Sequence, residues 1–268
     1  MPLLRAYNVC MIKVRLDLLL VDRGLAESRA RAQALIMAGQ VRISGQVALK
    51  AAQMLAPDAE VTVEAGPRFV SRGGEKLEGA LTSFGIQARD AVCADVGAST
   101  GGFSDCLLQH GAARVYAIDV GKGILHWKIR NDPRLVVMES TNARLVESLP
   151  ESIDLVTIDA SFISLKLLLP VVKRWLKPAH GCVVALIKPQ FEAGKKDVAR
   201  GEGVIRDPAI HRQVLLDVLG YAQGEGWGLR GLIRSPLLGP KGNVEFLAWL
   251  DLNGTAADIP VLVESVLK

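Results

Sequence analysis

Asp95-Val96-Gly97-Ala98-Ser99-Thr100-Gly101-Gly102-Phe103 decides the fold of this chain. The apolar run over 91–96 leads into it as a buried strand, and 103–110 behind it has the apolar spacing of a helix. Strand, glycine turn and helix are the opening unit of an α/β sheet. Such a turn lets backbone approach a ligand beyond the carboxyl ends of parallel strands. The spacing is Gly-x-x-x-Gly-Gly, which differs from the Gly-x-Gly-x-x-Gly of dinucleotide binders. Working outward, further strands are expected over 114–119, 135–139, 153–159, 181–188, 227–233 and 243–250, with helices over 165–176 and 208–225. This βα alternation predicts a Rossmann-like, doubly wound sheet of seven strands with helices on both faces.

The acidic residues around the loop say something about its ligand. Asp95 is placed to face an ammonium group, and Asp119, at the end of the second strand, to accept two ribose hydroxyls. Acidic residues there disfavour a pyrophosphate and suit S-adenosylmethionine, which carries none. Gly97, Ala98, Ser99, Thr100, Gly101, Gly102 and Phe103 form the cradle, and Asp159 lies at the end of the fourth strand. Asn142 is a candidate for the adenine edge, or equally a cap for a helix over 143–149.

Composition excludes several classes. The 268 residues are half apolar with few aromatics, which suits a large aliphatic α/β domain plus a small one and not a disordered chain. A net charge of +4 admits nucleic acid as a partner without requiring it. Cys10, Cys93, Cys106 and Cys182 form no Cys-x-x-Cys pair and read as reduced thiols; the four histidines lack ligand spacing, so no metal is expected. No run reaches the roughly 18–20 apolar residues that cross a bilayer. The first ten residues lack a signal-peptide core, and Met11 is a candidate start, so a cytoplasmic protein is expected.

The segment over 14–65 stands apart. A short helix opens at Arg15 and stops at Gly24; Ser28 caps a second helix over 29–38; a hairpin turns at Ser44-Gly45; and Val61-Thr62-Val63 adds a strand. This order resembles the RNA-binding domain shared by a small-subunit ribosomal protein of the S-four type, some tRNA synthetases and pseudouridine synthases. The resemblance implies that Arg15, Arg29, Arg31 and Lys50 meet phosphates, where a helix N-terminus adds a favourable dipole. A linker is expected over 66–72 and the catalytic domain over 73–268. Lys195, Lys196 and Arg200 sit in a glycine-flanked loop that is either a basic flap over RNA or a solvated loop.

Asp159, Lys188 and Glu245 lie in or at the ends of apolar strands, where a charge is costly unless paired. Asp95-Val-Gly-Ala-x-x-Gly-Gly-Phe103, Ile158-Asp-Ala-Ser-Phe-Ile-Ser164, Ile187-Lys-Pro-Gln-Phe-Glu192 and Gly242-Asn-Val-Glu-Phe-Leu247 resemble the TlyA group of the RrmJ/FtsJ ribosomal-RNA methyltransferases. The likeness runs from Val14 to Leu252 and includes Val70-Ser-Arg-Gly-Gly-x-Lys76. It implies a Lys-Asp-Lys-Glu tetrad on Lys76, Asp159, Lys188 and Glu245, and methylation of cytidine 2′-hydroxyls in rRNA. Methyl transfer needs alignment and removal of the hydroxyl proton. Lys188, acting neutral, is the expected base; Asp159 orients it, and Glu245 holds Lys76 and the ribose. The group has also carried the label haemolysin, but pore formation requires a spanning or strongly amphipathic segment that the sequence does not clearly show. A non-catalytic RNA-binding assembly factor on the same fold would not need the tetrad. A pseudouridine synthase would leave the glycine loop unexplained.

Overall fold

The computed structural model describes residues 13–194, 201–254 and 257–267, so Lys195, Lys196 and Arg200 lie outside the described residues. The chain divides into two compact units, with the boundary after Arg68.

In the first unit, β1 (Val14–Arg15) runs into α1 (Leu16–Asp22), followed by α2 (Arg29–Met37), β2 (Val41–Ile43), β3 (Gln46–Val47), β4 (Met54–Leu55) and β5 (Val61–Val63). β1 pairs antiparallel with β4, while β3, β2 and β5 form a second small sheet. Ser28 Oγ accepts from Arg31 N at 3.2 Å and caps α2. The β2–β3 turn places both Ser44 (φ 47°) and Gly45 (φ 80°) in the left-handed region that a tight two-residue hairpin requires. Leu16, Leu19, Leu20, Leu35, Ile36 and Val41 make the core. Among them sits a carboxylate, Asp17, with no exposed surface. It accepts from Arg15 Nε (2.9 Å), Arg29 Nε (3.0 Å) and Gln33 Nε2 (2.9 Å), and the Arg15 guanidinium holds its carboxyl well below the usual range.

The second unit starts earlier than the sequence suggests. Phe69 is buried in its core and Val70 N donates to Asp105 Oδ2 at 2.8 Å, so the expected linker over 66–72 is shortened from its far end. Its elements are α3 (Gly73–Phe84), β6 (Val92–Val96), α4 (Gly102–Gln109), β7 (Arg114–Ile118), α5 (Trp127–Arg130), β8 (Leu135–Met138), β9 (Leu155–Ile158), α6 (Leu165–Val172), β10 (Cys182–Ile187), α7 (Pro189–Glu192), α8 (Pro208–Gly224), β11 (Gly228–Arg234), β12 (Phe246–Asp251) and α9 (Ile259–Leu267). The seven strands lie in the order β11-β12-β10-β9-β6-β7-β8, all parallel except β12, which runs antiparallel to β10 and β11. Alternate residues supply two cores: Val96, Ile118, Ile158 and Ile187 face one layer, while Cys93, Val115, Leu155 and Leu186 face the other. The strand order reverses between β6 and β9, and there an open α/β sheet offers a crevice beyond its carboxyl ends.

Three elements differ from expectation. α6 ends at Val172, short of 176, because the carbonyl of Trp175 and the N–H of Lys177 are drawn into bonds with Ile153. The helix over 143–149 is a single turn over Ala143–Leu145; Val146 is extended, with its carbonyl taken by the Trp175 indole at 3.1 Å. β12 begins at Phe246, leaving Asn243 and Glu245 ahead of the strand. No helix among the described residues is long and apolar enough to cross a membrane.

Asp17→Ala is expected to weaken the first unit by about 1–3 kcal/mol, since three donors lose their acceptor. Amide hydrogen exchange of the full chain checks this: α1 and α2 should exchange faster, and unchanged rates there would contradict the anchoring role.

Candidate active site

The crevice is built on the glycine loop. Gly97 has φ +84°, and a Cβ on it would stand 2.8 Å from the backbone oxygen of Asp159, so the loop lies against the next strand end in a way only glycine allows. Gly97 N and Ala98 N donate to Ile118 O at 2.9 and 3.2 Å. Asp119 continues the bracing, with Oδ2 accepting from Ser99 N (2.8 Å) and Oδ1 from Gly121 N (2.7 Å). Each of its oxygens retains a lone pair for a ligand hydroxyl.

Asp95 is a correction. It does not face the crevice: it is wholly buried beneath the loop, its Oδ2 accepting from Ser104 Oγ (2.6 Å) and its Oδ1 from Thr157 Oγ1 (3.1 Å). Burial pushes its carboxyl up to about 7. Asn142 is exposed and its Oδ1 accepts from Arg144 N at 3.1 Å, so of its two expected roles the structure displays the cap. Sequence reasoning missed Glu139, whose carboxylate accepts from Gly123 N, Leu125 N and Arg130 and holds the loop after β7 in place. Those bonds bring its carboxyl down to about 2, the Gly123 amide first among them.

A cavity of about 550 Å³ opens in front of the loop. Gly97–Thr100, Gly102 and Phe103 line one wall, and all four of Lys76, Asp159, Lys188 and Glu245 line another. Lys76 comes from the first turn of α3, Asp159 follows β9, Lys188 follows β10, and Glu245 precedes β12. The antiparallel register explains the last two: Ile187 pairs with Phe246, which brings their outer neighbours Lys188 and Glu245 to the same end of the sheet. Lys76 Nζ lies 2.6 Å from Glu245 Oε2, and Lys188 Nζ lies 2.6 Å from Asp159 Oδ1. The first is a hydrogen-bonded pair and the second a close ion pair. Lys188 Nζ also donates to Ser161 Oγ (3.0 Å) and Asp159 O (3.4 Å), and Gln190 Nε2 donates to Glu245 Oε1 (3.2 Å). Burial raises the Asp159 carboxyl above its ordinary value, against the pull of Lys188 and Lys76.

One wall residue, within Ile158-Asp-Ala-Ser-Phe-Ile-Ser164, carries no functional signal in the sequence. Phe162 is 90% exposed, has φ +63°, and packs tilted against Phe191 with ring centroids 4.7 Å apart. In the first unit, Arg31 and Lys50 are exposed, whereas Arg15 and Arg29 spend part of their guanidinium groups on Asp17.

Residues 69–252 match the model of the FtsJ-like methyltransferases, and residues 14–61 match the S4 domain. The chain belongs to the FtsJ-like methyltransferase family. The 16S/23S rRNA (cytidine-2′-O)-methyltransferase TlyA of Mycobacterium tuberculosis is 47% identical over 248 residues, covering 89% of this chain and 90% of that protein. Hemolysin A of Brachyspira hyodysenteriae is 41% identical over 238 residues, covering 88% and 98%. A solved structure described as a "putative hemolysin" from Streptococcus thermophilus superposes with a TM-score of 0.72 at 41% identity, covering 96% of this chain and 95% of that one. As a member of the family this chain is an enzyme, with an S4 domain in front of its methyltransferase domain.

Gly97→Ala is expected to weaken binding of the methyl donor about tenfold or more, because the new methyl must move Asp159 or leave the left-handed region; calorimetry with wild-type-like affinity would refute this. Asp95 sets a pH dependence. An unfolded aspartate titrates near 4, so between about pH 4 and 7 the folded chain keeps a proton the unfolded chain has lost. The contribution of Asp95 to stability is therefore most favourable below about pH 4 and falls as pH rises to about 7, by on the order of 4 kcal/mol. Urea titrations across that window should show wild type losing stability relative to Asp95→Asn as pH rises, and a constant difference between the two would refute it.

Proposed function

We propose that this chain transfers the methyl group of S-adenosylmethionine to a cytidine 2′-hydroxyl in ribosomal RNA, in the cytoplasm. The observation that carries the reading is the convergence of a buried Lys76–Glu245 pair and a part-buried Lys188–Asp159 pair on the cavity in front of the glycine loop. The cavity suits the donor. Gly97 leaves bare backbone at the cradle, Asp119, behind the loop and outside the cavity lining, offers a braced carboxylate for ribose hydroxyls, and Gln190, on the cavity wall, has a buried Oε1 with no hydrogen-bond partner among the described residues.

When bound, S-adenosylmethionine supplies a methyl group on a sulfonium that leaves as a neutral thioether without needing a proton. The protein has to align the ribose oxygen and take its proton. Once the Lys188 ammonium has released a proton to solvent, its Nζ accepts the hydroxyl proton as the oxygen–carbon bond forms. The ammonium so created sits beside Asp159, whose carboxylate stabilises the charge as it develops. Glu245 fixes Lys76 at the cavity, and the positive end of that pair favours an oxygen gaining negative character. Phe162 presents an aromatic face at the mouth on which an unstacked base can lie.

The S4 domain supports RNA as substrate, with Arg31 and Lys50 as exposed phosphate contacts and the remaining guanidinium edges of Arg15 and Arg29 beside them. That the mycobacterial relative is a 16S/23S rRNA (cytidine-2′-O)-methyltransferase supports a cytidine of rRNA as the target. Labelled S-adenosylmethionine supplied with separated subunits, followed by mapping of the methylated ribose, tests the proposal. No transfer to either subunit or to naked rRNA would sink it. Lys188→Ala should lower kcat by roughly 10²- to 10⁴-fold while donor affinity stays within a few-fold; full methylation by that variant would remove Lys188 as the base.

A further inference from the structure

Two of the motifs that supply the tetrad are also tied together at their far ends. Asp159 opens the loop over 159–164 and Lys188 opens the turn over 188–192; Ser164 and Glu192 close them. At the near end, Lys188 Nζ reaches Asp159 and Ser161. At the far end, Glu192 Oε2 accepts from Ser164 Oγ at 2.6 Å and Oε1 accepts from Leu165 N at 2.7 Å. The turn bearing both Lys188 and Glu192 is rigid: Phe191 N and Glu192 N donate to Lys188 O at 2.9 and 3.3 Å. Burial raises the Glu192 carboxyl while its bonds to Ser164 and Leu165 favour the ionised form.

The loop between these ties has reason to move. It holds Phe162, a bulky side chain, in the left-handed backbone region with its ring almost fully exposed. A conformation of that kind persists where its surroundings over-determine it. Bonds at both ends do so here, and only the far end lies outside the reacting groups.

We propose that Glu192 is a positioning residue for methyl transfer, clamping the loop after β9 to the turn after β10 so that Asp159, Ser161 and Phe162 keep their places around Lys188. The proposal rests on the methyl-transfer reading of the cavity. Glu192 touches neither donor nor RNA in this role and acts through the loop it holds.

Full-length Glu192→Ala, Glu192→Gln and Ser164→Ala test it against wild type with rRNA and S-adenosylmethionine. Glu192→Ala should lower kcat roughly 10- to 100-fold, the scale of a reacting group misplaced by about an ångström, with donor affinity unchanged within about threefold. Glu192→Gln should recover most of kcat, because its amide can accept from Leu165 N and donate to Ser164 Oγ. Ser164→Ala, which keeps the Leu165 bond, should lose about three- to tenfold. Wild-type kcat in Glu192→Ala, or no recovery in a folded, donor-binding Glu192→Gln, overturns the proposal. If Glu192→Ala does not fold, Ser164→Ala decides, and wild-type kcat there overturns it. Wild-type enzyme inactive on every rRNA substrate overturns the parent reading instead. Amide exchange at Phe162 and Ile163, which loss of Ser164 or Glu192 should speed, then judges the clamp, and unchanged exchange overturns it.

Discussion

Two lysines and two carboxylates share a cavity wall with little access to water, and charges in such a place persist only as pairs. That constraint reaches back into the sheet. Asp159, Lys188 and Glu245 are each the residue next to a strand end, so their meeting depends on the level at which β9, β10 and β12 finish, β10 running to Ile187 beyond the Ala185 that pairs with the end of β9. The pairing of Ile187 with Phe246 and of Ala185 with Ile158 sets that level. A slip of one residue would turn Phe246, buried in one core, towards the other, and would move Glu245 away from Lys76. The two hydrophobic layers therefore hold the charge pairs in register. Lys76 is the exception, since it arrives on a helix packed over the sheet and depends on α3 being seated.

The parts of this arrangement that were legible in the sequence are the ones with a local signal. Alternation of apolar runs and helical spacing marked the seven strands, and the glycine loop marked the switch point. Asp159, Lys188 and Glu245 stood out as charges in apolar surroundings. Lys76 carries no such signal in an ordinary amphipathic helix, and only the likeness to a known family reached it. Asp95 was misread because a carboxylate at a strand end looks the same whether it faces the crevice or the core; of the two hydroxyls that settle the matter, Ser104 lies just beyond the loop without marking a direction, and Thr157 is remote in sequence. Asp17 had a signal that went unused, an acidic residue within Leu16-Asp-Leu-Leu-Leu20. Helix ends were misjudged where the Trp175 indole and Ile153 compete for backbone groups, a tertiary effect that no window of sequence contains.

Charge pairing also bears on how the front unit meets RNA. A net charge of +4 spread over the chain says little about where phosphate binds. Asp17 takes up one edge of Arg15 and of Arg29, and with them orders the junction between α1 and α2. Their guanidinium groups are thereby held in place while 36% and 54% of each side chain stays open to solvent. A planar cation whose one edge is tied to a buried carboxylate loses less freedom on binding a phosphate with the other than a freely rotating lysine does. The buried acid partly neutralises these arginines and also aims them. Arg31 and Lys50, exposed and without an ion-pair partner among the described residues, contribute charge without that preorganisation. The same physical device thus recurs in both units: a carboxylate with little or no exposure fixes a basic side chain, Asp159 beside Lys188 and Asp17 beside Arg15 and Arg29.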